Sequence, residues 1–172
     1  MLNDLVSKLA ALVLMFLSAP VFLLISILVI ADSGLPVIFK QIRRGKNGRP
    51  FMVYKFRTMK EDAVTNAGSF LRAYGMDEIP QLLNILKGEM AFVGPRPLTE
   101  EDIERLKWNE PHCKGRWSVK PGITGPAQLE SICDASLSME HDLQYVGRKT
   151  VGHDISILLK TVRIAVIGKR TK

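Results

Sequence analysis

The sequence predicts an α+β protein, mostly helical, with a small β-hairpin and an apolar N-terminal helix. Three observations carry that reading. No residue from Leu9 to Ala31 carries a charge, a basic glycine-containing turn separates two strand-like segments, and apolar residues recur at helical spacing further on.

The uncharged run begins after Lys8 and ends before Asp32. As a helix it would reach roughly 34 Å, enough for a bilayer core. Ser18-Ala19-Pro20 resembles a signal-peptide cleavage site, but nine of the next ten residues are strongly apolar, so cleavage is not expected. Pro20 removes a backbone donor and crowds the preceding turn, which predicts a kink. Ser18 is placed to bond a carbonyl freed by that kink. A kinked helix can cross a membrane or turn back within it, and hydropathy does not choose.

Val37-Ile38-Phe39 reads as a short strand, Arg43 to Pro50 as the turn, and Phe51 to Arg57 as the returning strand. Alternation puts Phe51, Val53, Lys55 and Arg57 on one face and Met52, Tyr54 and Phe56 on the other. Two cations therefore stand side by side at the strand end.

Asp77 to Lys87 is the clearest helix after the apolar run. Ile79, Leu82, Leu83 and Leu86 form one stripe, Asp77 is a favourable N-cap, and Gly88 is placed to end the helix. Gly94-Pro95-Arg96-Pro97 holds an arginine in a stiff loop. Glu100 to Trp108 is predicted as a polar helix, Lys120 to Pro126 as a rigid turn, and Ser138 to Tyr145 as a further helix. In the last predicted helix, Ile155 to Ile167, the apolar positions are Ile155, Leu158, Leu159, Val162 and Val166. Lys160, Arg163, Lys169 and Arg170 surround them. That pattern suits a membrane-surface helix and a core helix equally.

The 172 residues carry 24 Lys and Arg against 17 Asp and Glu, a net charge of +7. A basic balance suits anionic partners. Beside an apolar segment, lipid headgroups and phosphorylated substrates are favoured over nucleic acid, for which no aromatic platform or recognition motif is present. The basic residues lie almost wholly after the apolar run, which places the bulk of the chain on the cytoplasmic side. Cys113 and Cys133 lack metal-site spacing and read as reduced thiols.

Asp77-Glu78 is the pair most suited to chemistry. A helix N-terminus attracts phosphate and keeps a carboxylate ionised. An ionised aspartate can attack phosphorus, and two close acids can hold Mg²⁺ together with substrate oxygens. Lys55, Arg57 and Arg96 are candidates to neutralise a diphosphate. Capping and macrodipole compensation would also explain the acid pair.

The ordered set of motifs resembles the bacterial sugar transferase family, the small monotopic phosphoglycosyl transferases. It comprises Pro36 to Gln41 with the basic turn, Tyr54-Lys55-Phe56-Arg57-Thr58-Met59, Asp77-Glu78-Ile79-Pro80-Gln81-Leu82 and Asn84 to Met90. Val93-Gly94-Pro95-Arg96-Pro97, Lys120 to Gly125 and Asp142-Leu143-Gln144-Tyr145 complete it. The resemblance covers nearly the whole chain.

It implies a re-entrant membrane helix hairpin over residues 1–33, broken at Ser18 and Pro20, with both ends cytoplasmic. Residues 34–172 would form a catalytic domain held on the cytoplasmic face of the bacterial inner membrane by amphipathic helices. It implies that Asp77 attacks the β-phosphate of a UDP-sugar, releasing UMP, and that polyprenyl phosphate then takes the phosphosugar. Glu78 matches the second acid of the dyad. Mg²⁺ is the implied metal, with Asp77 its ligand. Lys55, Arg57, Arg96 and Asp142 match positions assigned to phosphate binding or site support. Where many members read Gln-Val-Asn-Gly-Arg, this chain reads Gln128-Leu129-Glu130-Ser131-Ile132, and the segment Lys60 to Met76 is short. The competing reading is a membrane-anchored relative that binds without turnover.

Overall fold

The computed structural model describes residues 2–129 and 134–167, with side chains from 4 to 164 within those ranges. Glu130, Ser131, Ile132, Cys133, Lys169 and Arg170, and the side chain of Val166, lie outside the described part. The described chain is α+β and mostly helical, with three two-stranded sheets. It forms two compact units. The first holds residues 1–41, 53–88 and 163–172, and the second 42–52 and 89–162.

In the first unit, α1 (Leu2–Leu17) and α2 (Ala19–Ser33) meet at a 60° bend. The break falls where the sequence places it. Pro20 stands in the first turn of α2, and the Ser18 hydroxyl donates to the Met15 carbonyl at 3.2 Å. No single helix among the described residues is long and apolar enough to cross a membrane, but the bent pair passes that test together. On α2, Phe22, Ile25 and Val29 form the stripe that docks on Phe56 and Leu71. Leu23, Leu24, Ile27 and Leu28 on the same helix are exposed, as are Leu9, Leu12, Val13, Phe16 and Leu17 on α1.

Strand β1 (Ile38–Arg44) pairs with β2 (Pro50–Phe56) around a 3-10 turn at Lys46–Gly48. The hairpin's open end belongs to the first unit and its tip to the second. Beyond it, β3 (Met59–Lys60) and β4 (Ala63–Val64) form a minimal antiparallel ribbon, turned by Glu61 and Asp62 in left-handed conformation. Then α3 (Asn66–Tyr74) starts on the Thr65 hydroxyl, which accepts the Gly68 N–H. Gly68 crosses the chain so closely that a Cβ would stand 2.2 Å from the Thr58 carbonyl oxygen.

The segment read as one helix from Asp77 is two. A 3-10 helix spans Met76–Gln81, and α4 covers only Leu82–Leu86. Asp77 is not the N-cap. Gly75, left-handed at φ 68°, ends α3 and begins the 3-10 turn. The expected apolar stripe is only partly the buried face. Leu82 is buried, Ile79 and Leu86 are half-buried and Leu83 is exposed, while Asp77, Pro80, Gln81, Asn84 and Ile85 are buried as well. Polar burial is tolerated where hydrogen bonds replace water, and Asn84 Oδ1 accepts the Tyr54 N–H at 3.3 Å. Helix α1 lies along α4.

The second unit is built on a parallel pair, β5 (Ala91–Val93) and β6 (Gly122–Thr124), in a stretch read from sequence as loop and turn. Gly94 and Gly122 permit the approach, since a Cβ on either would meet backbone atoms at 2.4 and 2.1 Å. Helix α5 (Glu100–Arg105) is shorter than expected and is capped by Thr99. A 3-10 segment, Pro111–Ser118, leads to β6, and α6 (Pro126–Leu129) follows. Helix α7 (Ala135–Gly147) begins on the Asp134 side chain. One core gathers Leu98, Ile103, Trp108, Cys113 and Met139, and another Val93, Tyr145 and Ile157. Helix α8 (Val151–Ile167) has two apolar faces. Ile157 and Leu158 pack inward, while Val151, Ile155, Leu159 and Val162 are exposed.

Candidate active site

Asp77 and Glu78 sit in the first turn of the 3-10 helix, with Asp77 buried and Glu78 half-buried. Strand β2 brings Lys55 to them. Its Nζ donates to Glu78 Oε1 at 2.6 Å, in surroundings that leave each side chain about one-fifth exposed. The salt bridge therefore orients both groups in a medium drier than bulk water, where charge interactions strengthen.

Burial is the largest influence on Asp77 and pushes its carboxyl above the ordinary aspartate value. The negative Glu78 pushes the same way. Lys55 and Arg72, together with a hydrogen bond from the residue's own backbone, pull it back. A capping position at a helix N-terminus would keep this acid ionised. The acid is instead enclosed within the turn, and desolvation opposes its charge.

Arg72 is the cation that the sequence reading missed. It is exposed on α3, its Nε donates to Thr58 Oγ1 at 2.8 Å, and its charge acts on Asp77. Its position five residues before Asp77 was the available signal, but a lone arginine in an unassigned segment reads as solvated charge.

Arg57 does not pair with the acids in the way its neighbour does. Its Nη2 donates to the Ser33 carbonyl at 2.7 Å and to the Ser33 hydroxyl at 3.0 Å, and its Nη1 to the Leu35 carbonyl at 3.0 Å. A guanidinium at a helix C-terminus satisfies carbonyls that have no intrahelical partner. Asp32 makes a second tie, accepting the Ala67 N–H at 2.9 Å. The end of α2 is thus fastened both to β2 and to α3.

The other two candidates belong to the second unit. Arg96 is exposed, between buried Pro95 and Pro97. Asp142 is fully buried and accepts from Arg116 Nε at 2.8 Å. Burial raises the Asp142 carboxyl and Arg116 lowers it, the burial effect being the larger.

For a divalent cation, the acids at hand in the first unit are Asp77 and Glu78, and no cluster of three or more His, Cys, Asp or Glu occurs among the described residues. That donor set fits Mg²⁺, which commonly takes one or two carboxylates and leaves its other positions to water and substrate phosphates. A buried carboxylate whose charge is opposed by desolvation is also the kind of group a cation would relieve.

Comparison with known proteins gives the family. The sequence profile of the bacterial sugar transferases matches residues 1–168. The chain belongs to the bacterial sugar transferase family. It is 36% identical over 182 residues to a UDP-glucose:undecaprenyl-phosphate glucose-1-phosphate transferase of Escherichia coli K12, with 94% of this chain and 39% of that protein aligned. It is 34% identical over 174 residues to a protein of the same name from Caulobacter vibrioides, covering 89% of this chain and 65% of that one. It is 33% identical over 179 residues to a UDP-N-acetylgalactosamine-undecaprenyl-phosphate N-acetylgalactosaminephosphotransferase of Aeromonas hydrophila, covering 93% and 42%. The chain spans about two-fifths of the length of the first and third of these relatives.

Proposed function

We propose that the protein transfers a sugar-1-phosphate from a UDP-sugar to polyprenyl phosphate, with Asp77 as nucleophile. The observation that carries this reading is the enclosed Asp77 beside the Lys55–Glu78 ion pair, in a chain whose named relatives act on UDP-sugars and undecaprenyl phosphate.

An Asp77 carboxylate oxygen bonds to the β-phosphorus, the bond from that phosphorus to the bridging oxygen breaks, and UMP leaves with the electron pair. An oxygen of polyprenyl phosphate then attacks the same phosphorus, and the bond to Asp77 breaks. The products are polyprenyl diphosphate sugar and a regenerated carboxylate. Lys55 and Arg72 supply positive charge where the diphosphate would sit, and Glu78 orients Lys55. Asp77 is the residue that would hold Mg²⁺, which when bound neutralises diphosphate charge. Arg57 supports the site by holding the end of α2, and Arg96 binds phosphate from its stiff loop.

The exposed apolar side chains of α1 and α2 support a membrane setting. A contiguous apolar surface of this kind is unfavourable in water. We place residues 1–33 as a re-entrant segment and 34–172 as the catalytic part, on the cytoplasmic face of a bacterial plasma membrane, with the outer face of α8 against lipid.

The test is UMP release by purified protein in lipid nanodiscs, with Mg²⁺, undecaprenyl phosphate and a panel of UDP-sugars. Release with one donor, abolished in Asp77→Asn, is the expected result. Equal release by the variant would refute the assignment of Asp77. No release by folded protein with any donor would favour a relative that binds without turnover.

A further inference from the structure

Thr58 stands between β2 and β3, polar yet only 6% exposed. Its carbonyl accepts the Thr65 N–H at 3.1 Å, and Gly68 of α3 lies against the same carbonyl closely enough to exclude a Cβ. The backbone of Thr58 is therefore held from two sides. A β-branched side chain on a fixed backbone has few rotamers, so the hydroxyl is a fixed point as well.

The contact with Gly68 also decides which face of α3 meets Thr58. Residues four apart share a helix face, and Arg72 is four beyond Gly68. Arg72 accordingly reaches the hydroxyl, with Nε donating to Thr58 Oγ1 at 2.8 Å. The helix then ends at left-handed Gly75, and Asp77 follows in the next turn. The Arg72 side chain is exposed, and among the described residues its Nη1 and Nη2 have no hydrogen-bond partner.

We propose that Thr58 is a positioning residue of the donor site. Its hydroxyl holds Arg72 through Nε and leaves the two terminal guanidinium nitrogens to take phosphate oxygens of the UDP-sugar. The inference rests on the reading of Asp77 as the nucleophile that a UDP-sugar meets. The shape of the guanidinium suits this division. Nε lies on one edge of the plane, and the Nη1–Nη2 edge can still meet phosphate with two parallel N–H bonds. An arginine already held in place also loses less freedom when the substrate arrives.

The test uses the full chain in nanodiscs with Mg²⁺, undecaprenyl phosphate and the UDP-sugar that supports UMP release. Arg72→Ala is expected to lower kcat/KM for that donor about 10–100-fold, the scale of a charge-assisted contact. Thr58→Cys should lower it about three- to tenfold, the effect of having to order one long side chain on binding. Thr58→Ser should recover to within about twofold of wild type, because both variants lack the methyl group and only serine restores a good acceptor. On the Arg72→Ala background, Thr58→Cys should cause no further loss. Equal losses in the serine and cysteine variants, or a Thr58 effect that persists without Arg72, would overturn the positioning role. Wild-type kinetics in Arg72→Ala would overturn it too, since nothing would remain to be positioned. Wild-type protein silent with every donor would instead defeat the transferase reading, and the proposal with it. If Thr58→Cys does not fold, Thr58→Val keeps the shape of the side chain without the hydroxyl. It should show the same loss, absent on the Arg72→Ala background, and a loss that persists there would overturn the proposal.

Discussion

Asp77 and Asp142 are both buried, both faced by a cation, and both raised by desolvation, yet they are built for different ends. Asp142 has its own arginine, joined through Nε in a setting closed to water. Asp77 shares its cations. Lys55 is bonded to Glu78, and Arg72 to the Thr58 hydroxyl, so both charges reach Asp77 without either being bonded to it in the structure. An acid left with unsatisfied demand for positive charge suits a phosphoryl nucleophile, whereas one locked to a guanidinium suits a brace. The contrast shows that burial of an acid does not define a site, because the commitment of its counter-charge decides.

The largest expected effect concerns the first aspartate. Asp77→Asn should lower kcat by about four orders of magnitude or more, as loss of a covalent nucleophile does, measured as UMP release. Asp142→Asn should act on stability instead. It leaves the buried Arg116 without its counter-charge and should cost about 3–5 kcal/mol in reversible denaturation. Equal effects of the two variants on turnover at matched stability would erase the distinction.

Lys55→Met should come next, with kcat lower by about 10²–10³-fold, since it removes a preorganised charge from a poorly solvated site. Gly68→Ala should cost about 1–3 kcal/mol, because its methyl group would meet the Thr58 backbone and displace α3 along with Arg72.

The smallest effect is a pH dependence. With its carboxyl raised by burial, Asp77 holds a proton more tightly in the folded chain than in the unfolded one. Stability is therefore lost as pH rises from the ordinary aspartate range through the raised value. Asp77→Asn cannot ionise, so it should melt above wild type at neutral pH, with the gap closing as pH falls below the ordinary range. A gap independent of pH in a thermal shift series would mean that Asp77 carries no such penalty.

Much of this was legible in the sequence. Proline in an uncharged run gave the bend, and alternating residues around a basic turn gave the hairpin. Adjacent acids, together with a lysine on the returning hairpin strand, marked the candidate site. Gln81 and Asn84 were hidden, because polar residues at helical spacing normally face water, and here they are buried together with Leu82 and Ile85. The β5–β6 pair was hidden because three-residue strands leave almost no periodic signal. Arg57, read as the last residue of the strand, lies one residue beyond β2, and only the fold shows that carbonyls at and just past the end of α2 meet it there. Arg116 had no signal at all, since its partners lie 20 and 26 residues away in the sequence.

The central claim is that Asp77 carries the phosphosugar. The most direct measurement is a single-turnover reaction with a UDP-sugar labelled at the β-phosphate and no lipid acceptor. Peptide mapping then locates the label, and UMP is quantified in parallel. The account expects label on the peptide containing Asp77, in proportion to UMP released, and its discharge when polyprenyl phosphate is added. Turnover that begins only with the acceptor, with no label on protein at any time, would contradict it and indicate direct transfer between the two substrates.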